Sequence, residues 1–288
     1  MESSLLPQVF FNGLTMGLIW VLIALGFSLI YSIMKVYNFA MGQVYMLGAI
    51  ITFYLTQQIH LSYLLSMFVA VSILFFGGVL MDRLFFKPIR GEMHAGFMVS
   101  LGLIFVISSI ALVTFGEQPK AVRGIFPGIL EFSGVRVSVE RLVACGISVF
   151  LIILLYSFIR WTKIGMAMRA VAQDREAAEL QGININFIIA IGMGISSALA
   201  GAAGALVAPI MFVDPFIGDA AIFRALVIVL LGGMGSLSGT VLGGLLLGQI
   251  ESFGHTYLGN ITAILVWIMI ACILLFRPKG LLGKELAG

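Results

Sequence analysis

The chain has 288 residues, 61% of them hydrophobic and only 10% charged, with a mean hydropathy of +1.14 and a net charge of +3. Soluble globular chains carry about 25% charged residues, so 16 basic and 13 acidic side chains cannot cover a water-facing surface of this length. That excludes a soluble enzyme or nucleic-acid-binding domain. The apolar runs are continuous and do not alternate with period two, which excludes a β-barrel.

A helix crosses the hydrocarbon core with roughly 20 apolar residues. In chain order the candidate spans are 9–34, 38–57, 61–81, 96–115, 141–159, 186–211, a 30-residue region at 221–250, and 258–276. The expected fold is an all-α polytopic membrane protein of about eight spans, one transmembrane domain over 1–288. Met1 to Gln8 carries no Lys or Arg and no cleavage site follows, so the first run is read as a retained helix. Cys145 and Cys272 lie inside apolar runs, and no disulfide framework is indicated.

The connections sort by charge. Ser32–Tyr37 carries Lys35; Asp82–His94 carries Arg83, Lys87 and Arg90; Arg160–Asn186 carries Arg160, Lys163, Arg169 and Arg175; the tail carries Arg277, Lys279 and Lys284. Gln57–His60 and Phe212–Ala220 carry no Lys or Arg. The positive-inside rule puts the basic segments in the cytoplasm and the N-terminus outside. Gly116–Glu140 is nearly balanced and falls outside by alternation. Arg83, Lys87 and Arg90 are read as orientation signals.

A single span at 221–250 would put the basic tail on the wrong side. The break Leu231-Gly-Gly-Met-Gly-Ser-Leu-Ser-Gly239 divides it into halves read as too short to cross, which restores the sidedness as a re-entrant or broken pair. Tyr37-Asn-Phe-Ala-Met-Gly-Gln43 is a second irregular stretch, at the start of the second span. Interrupted apolar segments in two parts of a chain mark substrate sites in transporters, and they also let helices pack closely. Asn38, Phe39, Met41, Gly42, Gln43, Gly232, Gly233, Gly235 and Ser236 are therefore the candidate pathway residues, with packing as the alternative. Ser196–Ala205 is read as packing.

Between spans, Gln173-Asp-Arg-Glu-Ala-Ala-Glu-Leu-Gln-Gly182 specifies a short helix. Asp174 is a good N-cap, Glu176 suits the positive end of the helix dipole, and Gly182 suits the C′ position. A membrane-surface helix would show a broad apolar face, and this one has little besides Leu180, so it is read as a docking element.

Glu176-Ala-Ala-x-x-x-Gly182 resembles the EAA loop of ATP-binding-cassette importer permeases. The wider run from Gly165 to Asn184, together with Ala24–Tyr31, Asn38-Phe-Ala-x-Gly42, Tyr45-Met-x-Gly48, the Leu231–Gly239 turn and Arg277-Pro-x-Gly-Leu281, resembles the branched-chain amino acid permeases, the shorter of their two paired chains. The resemblance implies half of an importer pathway for branched-chain or other hydrophobic amino acids. Its partners would be a sister permease, two ATP-binding subunits and a periplasmic substrate-binding protein, in a bacterial inner membrane. It implies coupling through 161–186, at Asp174, Arg175, Glu176, Ala177, Ala178, Glu179 and Gly182. The family pattern has His and Glu where this chain has Met41 and Gln43, commonly Lys at Arg224 and Pro at Ser238.

No G-x-x-x-x-G-K-[S/T] phosphate loop occurs, so ATP hydrolysis would belong to partners; no catalytic residue, metal or cofactor is expected. A stand-alone channel or secondary carrier for a small neutral solute is the alternative, and an intramembrane protease a remoter one. Glu251 and His255 are read as lying at a helix end in water or headgroups, while Asp214, Asp219 and Arg224 are open between docking and local ion pairs.

Overall fold

The structure is a computed structural model that describes residues 2–122, 128–132 and 135–259, and beyond them 261, 262, 264, 266–268, 275 and 280. The expected span 258–276 lies largely, and Arg277, Lys279 and Lys284 wholly, outside the described residues.

Among the described residues ten complete α-helices follow in order: α1 (Glu2–Met34), α2 (Met41–Gln57), α3 (Tyr63–Met81), α4 (Met93–Phe115), α5 (Val139–Trp161), α6 (Lys163–Gln173), α7 (Arg175–Leu180), α8 (Ile185–Val207), α9 (Ile217–Gly232) and α10 (Leu237–Tyr257). A π turn and a 3-10 turn, Asp82–Phe86 and Lys87–Ile89, join α3 to α4. Sequence patterning did not foresee the small antiparallel hairpin between α4 and α5, β1 (Ile129–Phe132) and β2 (Val135–Ser138); it lies between spans, and the fold is all-α through the membrane.

Among the described residues α1, α3, α4, α5 and α8 are each long and apolar enough to cross, and α9 and α10 form a pair bent by 119°. The broken pair is thus present, but with a correction to its halves. α10 has 21 residues, about 31 Å at 1.5 Å per residue, so it is not too short to cross. It runs antiparallel along α1: Ser252 Oγ donates to the Val9 carbonyl (2.6 Å) at one end, and Ser32 Oγ donates to the Gly235 carbonyl (3.4 Å) at the other.

The bundle is layered. In α1 and α8, 89% and 78% of the apolar stretch is buried, against 22% in α4 and α5, so α1 and α8 are central while α4 and α5 offer apolar faces to lipid or another subunit. Lipid supplies no hydrophobic drive between helices, and close approach at small residues replaces it. Gly13 and Gly17 of α1 lie against Gly244 and Gly248 of α10, Gly48 of α2 against Gly201 of α8, and Gly42 of α2 against Gly218 of α9. A Cβ at Gly204 would land on the Tyr45 carbonyl. The packing reading of Ser196–Ala205 therefore holds.

The connections gather at two ends. Met34, Val36, Arg90 and Arg175 line one crevice, and Gly280 backs onto Gly233, so Lys35, the 82–92 turns, the 161–186 loop and the glycine-rich turn share a basic end. At the opposite end Lys120 and Val213 exchange backbone hydrogen bonds (2.9 and 2.8 Å), and Lys120 Nζ donates to the last-turn carbonyl of Phe115 (2.6 Å), where a cation suits the helix dipole.

Gly204→Ala is expected to destabilise the fold by about 1–3 kcal/mol through overpacking, read as a lowered thermal midpoint in nanodiscs; an unchanged midpoint would contradict the backbone-to-backbone contact.

Candidate functional site

The loop between α5 and α8 is fixed by three N-caps in succession. Thr162 Oγ1 accepts from Gly165 N–H (3.0 Å), Asp174 Oδ1 from Ala177 N–H (3.0 Å), and Asn184 Oδ1 from Phe187 N–H (3.1 Å). α7 ends in a Schellman motif: Ile183 N–H donates to the Ala178 carbonyl (3.1 Å) and Gly182 N–H to the Glu179 carbonyl (2.9 Å). Gly182 has φ +80°, a left-handed conformation that costs other L-residues roughly 1–2 kcal/mol. The expected self-terminated helix is therefore built as the sequence implies. Ala178 is its buried side chain, while Asp174, Arg175, Glu176, Ala177, Glu179 and Gly182 are exposed and Leu180 is 90% exposed. Gly165 packs onto the carbonyls of Phe158 and Ile159, so α6 turns back tightly against the end of α5.

The glycine-rich turn is the second candidate element. Gly233 and Gly235 have φ +97° and +83°, and Ser236 caps α10 by accepting from Gly239 N–H (3.1 Å). Gly232 and Gly239 meet backbone to backbone. Gly232 and Gly233 are buried, Ser236 half-buried and Gly235 exposed. Tyr37 Oη donates to Met234 Sδ (3.5 Å), so the structure brings the two irregular stretches together.

The Tyr37–Gln43 stretch faces the interior. Asn38, Met41, Gly42 and Gln43 are buried and Phe39 half-buried. Ala40 N–H donates to Asn38 Oδ1 (3.1 Å), and the Asn38 amide donates to Met193 Sδ (3.4 Å). Phe39 sits edge-on to Phe27 and Phe97. Gln43 Nε2 donates to Asp219 Oδ1 (2.7 Å), while its Oε1 finds no partner among the described residues. Within the single chain these side chains are thus wall, not open surface.

Sequence reasoning missed the Asp82–Arg90–Asn186 cluster and the partners that Arg224 and Asp219 take. Asp82 and Arg90, with side chains 1% and 8% exposed, form an ion pair, and Arg90 also donates to Asn186 in the first turn of α8. Arg90 is therefore a buried clamp and not only an orientation signal. Arg224 Nε donates to both carboxylate oxygens of Glu251 (3.1 and 3.2 Å). Glu251, 13% exposed, is accordingly not at a water-bathed helix end, although His255 is exposed. The local-pair reading holds for Arg224, Asp219 bonds Gln43, and Asp214 Oδ1 accepts from Phe216 N–H (2.8 Å). The usable signal was that an ionisable group in an apolar run needs a partner; no periodicity says which.

Asp82→Ala, which strands a buried Arg90 cation, is expected to cost about 3–5 kcal/mol in a denaturation measurement, and Asp82→Leu with Arg90→Met to recover much of it. Equal loss in the single and double variants would mean that charge pairing is not what holds the α3–α4 connection.

Comparison with known proteins places these features in context. The family model described as "Branched-chain amino acid transport system / permease component" matches residues 9–276. The chain is 31% identical to the high-affinity branched-chain amino acid transport system permease protein BraD of Pseudomonas aeruginosa and 29% identical to the corresponding LivH proteins of Salmonella typhimurium and Escherichia coli, in each case over 96% of this chain and 95% of the relative. A probable branched-chain amino acid transport permease protein LivH of Methanocaldococcus jannaschii is 28% identical over 92% of this chain and 89% of its own length. No solved structure matches the chain significantly.

Proposed function

Because the chain belongs to the branched-chain amino acid transport system permease family, we propose that it forms one membrane half of an ATP-driven importer for branched-chain or other hydrophobic amino acids. The observation that carries this reading is α7, a six-residue helix locked at both ends that presents Arg175, Glu176, Ala177, Glu179 and Leu180 to the medium. A rigid, exposed, capped helix between two spans is suited to seat in a soluble partner, and membrane burial does not account for its charged rim. The partners in this reading are two ATP-binding subunits under the 161–186 loop, a different, related permease alongside, and a periplasmic substrate-binding protein at the far side. The chain would lie in a bacterial inner membrane.

Orientation follows from the charges. The basic end would be cytoplasmic by the positive-inside rule, with the N-terminus outside and the C-terminal tail inside. Force from the ATPases would enter at α7 and pass through the Asn184 cap and the Arg90–Asn186 contact into α8, and through Trp161 into α5. The helices α1, α2 and α3 all pack on α8, so tilting it would shift the bundle core.

The pathway would run past the exposed Gly235 and the half-buried Ser236, with Gly232 and Gly233 as the tight hinge behind them. Asn38, Phe39, Met41, Gly42 and Gln43 would form the wall. They would gain access to the lumen when α9 parts from α2 at the Gly42–Gly218 contact. The replacement of two ionisable family residues by Met41 and Gln43 suits a neutral wall.

The test is affinity purification of the tagged chain from its native membrane in mild detergent, beside Glu176→Lys and Gly182→Asp variants. Stoichiometric recovery of an ATPase and a sister permease, with the ATPase lost from both variants, is the expected result. A chain that purifies alone, and identically in the variants, would replace ATP-driven import with a passive channel.

A further inference from the structure

We propose that the Arg224–Glu251 pair is a binding subsite for the zwitterionic head of an aliphatic amino acid, its side chain lying in the adjoining apolar cavity. The inference rests on the importer reading and adds a site to it.

The pair is built for more than structural closure. Both carboxylate oxygens of Glu251 crowd onto the single Nε of Arg224, whereas a guanidinium meets a carboxylate best through two parallel N–H bonds. Nη1 has only the Ala220 carbonyl at 3.4 Å, and Nη2 has no hydrogen bond among the described residues. The Trp20 ring covers the guanidinium at 4.8 Å. The side chain is nevertheless 34% exposed, and it borders a cavity of about 280 Å³. That is just under the roughly 300–1,000 Å³ of drug-sized ligand sites, as suits a smaller solute.

The cavity wall has two chemistries. Phe223, Val227, Leu247 and Trp267 make it apolar, Arg224 and Glu251 are its charged lining, and His255 and Thr262 are polar neighbours. A free carboxylate alone would be repelled by Glu251, and a free amine by Arg224. A zwitterion matches both partners at once, and an aliphatic side chain matches the apolar wall. Depth agrees: Glu251 adjoins the Ser252–Val9 contact near the start of α1, and Arg224 reaches Trp20 at the middle of that span, so the pair extends from the half in which an importer receives its solute to the middle of the membrane. Ionisable groups at membrane depth are functional candidates by default.

The experiment places the complete transporter in nanodiscs, with Phe223→Cys on a Cys145→Ser, Cys272→Ser background. Phe223 is 51% exposed. The measured quantity is the rate of maleimide labelling at position 223, alone and with L-leucine, with isoamylamine (leucine without its carboxylate) or with 4-methylpentanoate (leucine without its ammonium). Protection by leucine and by neither fragment is expected. In Arg224→Gln or Glu251→Gln the protecting concentration should rise at least about tenfold, with Arg224→Lys falling between. If the Gln variants do not assemble, the fragment comparison and Arg224→Lys still decide. Labelling unaffected by leucine, or slowed equally by either fragment, overturns the subsite. ATP-driven leucine uptake is measured on the same protein in proteoliposomes: uptake without protection sinks this inference alone, and no amino acid uptake sinks it together with the importer reading.

Discussion

Backbone-to-backbone contact between helices is the constraint on which the rest depends. In lipid, separating two apolar helices exposes no apolar surface to water, so association must come from dispersion over surfaces that approach closely. Glycine removes the side chain that would keep the backbones apart. The pairs Gly13–Gly248, Gly17–Gly244, Gly48–Gly201, Gly42–Gly218 and Gly232–Gly239 are where α1, α2, α8, α9 and α10 are drawn together. The large residues stand outside these seams. Phe68, Phe76, Phe105 and Val113 on α3 and α4 remain exposed, as lipid or a second subunit permits.

Against that apolar background, a few side-chain contacts join different helices. Arg90 ties the α3–α4 connection to the first turn of α8, Gln43 ties α2 to α9, and Arg224 ties α9 to α10. A buried ion pair is weak evidence of stability, because desolvation offsets much of its attraction. Its directional geometry nonetheless fixes register where methyl groups would slide. The Asp82–Arg90–Asn186 cluster lies at the basic end, next to α7, and Arg224–Glu251 lies toward the other. One joins the α3–α4 connection to the start of α8, and the other borders a cavity.

The sequence alone was enough for the membrane setting, the helical class, five of the spans among the described residues and the short capped helix α7, while the count of eight was not reached there. The reason is local: hydropathy over twenty residues, an Asp N-cap and a Gly in the left-handed C′ position act within a few residues of chain. α7 emerged with the cap and terminator expected of it for that reason. The broken pair was also legible, since Gly233 and Gly235 cannot continue a helix at positive φ.

Which polar groups meet was decided only by tertiary structure. Glu251 lies 27 residues from Arg224 and Asp219 lies 176 from Gln43, and no helical period spans such separations. The crossing of α2 over α8, set by Gly48 and Gly204, turned Asn38–Gln43 inward to become wall. The length of α10 was likewise tertiary: a half read as too short to cross persists as helix for 21 residues, with a glycine-lined seam of α1 along it. Local chemistry specified each helix, and the close approach of backbones specified which side chains share a site.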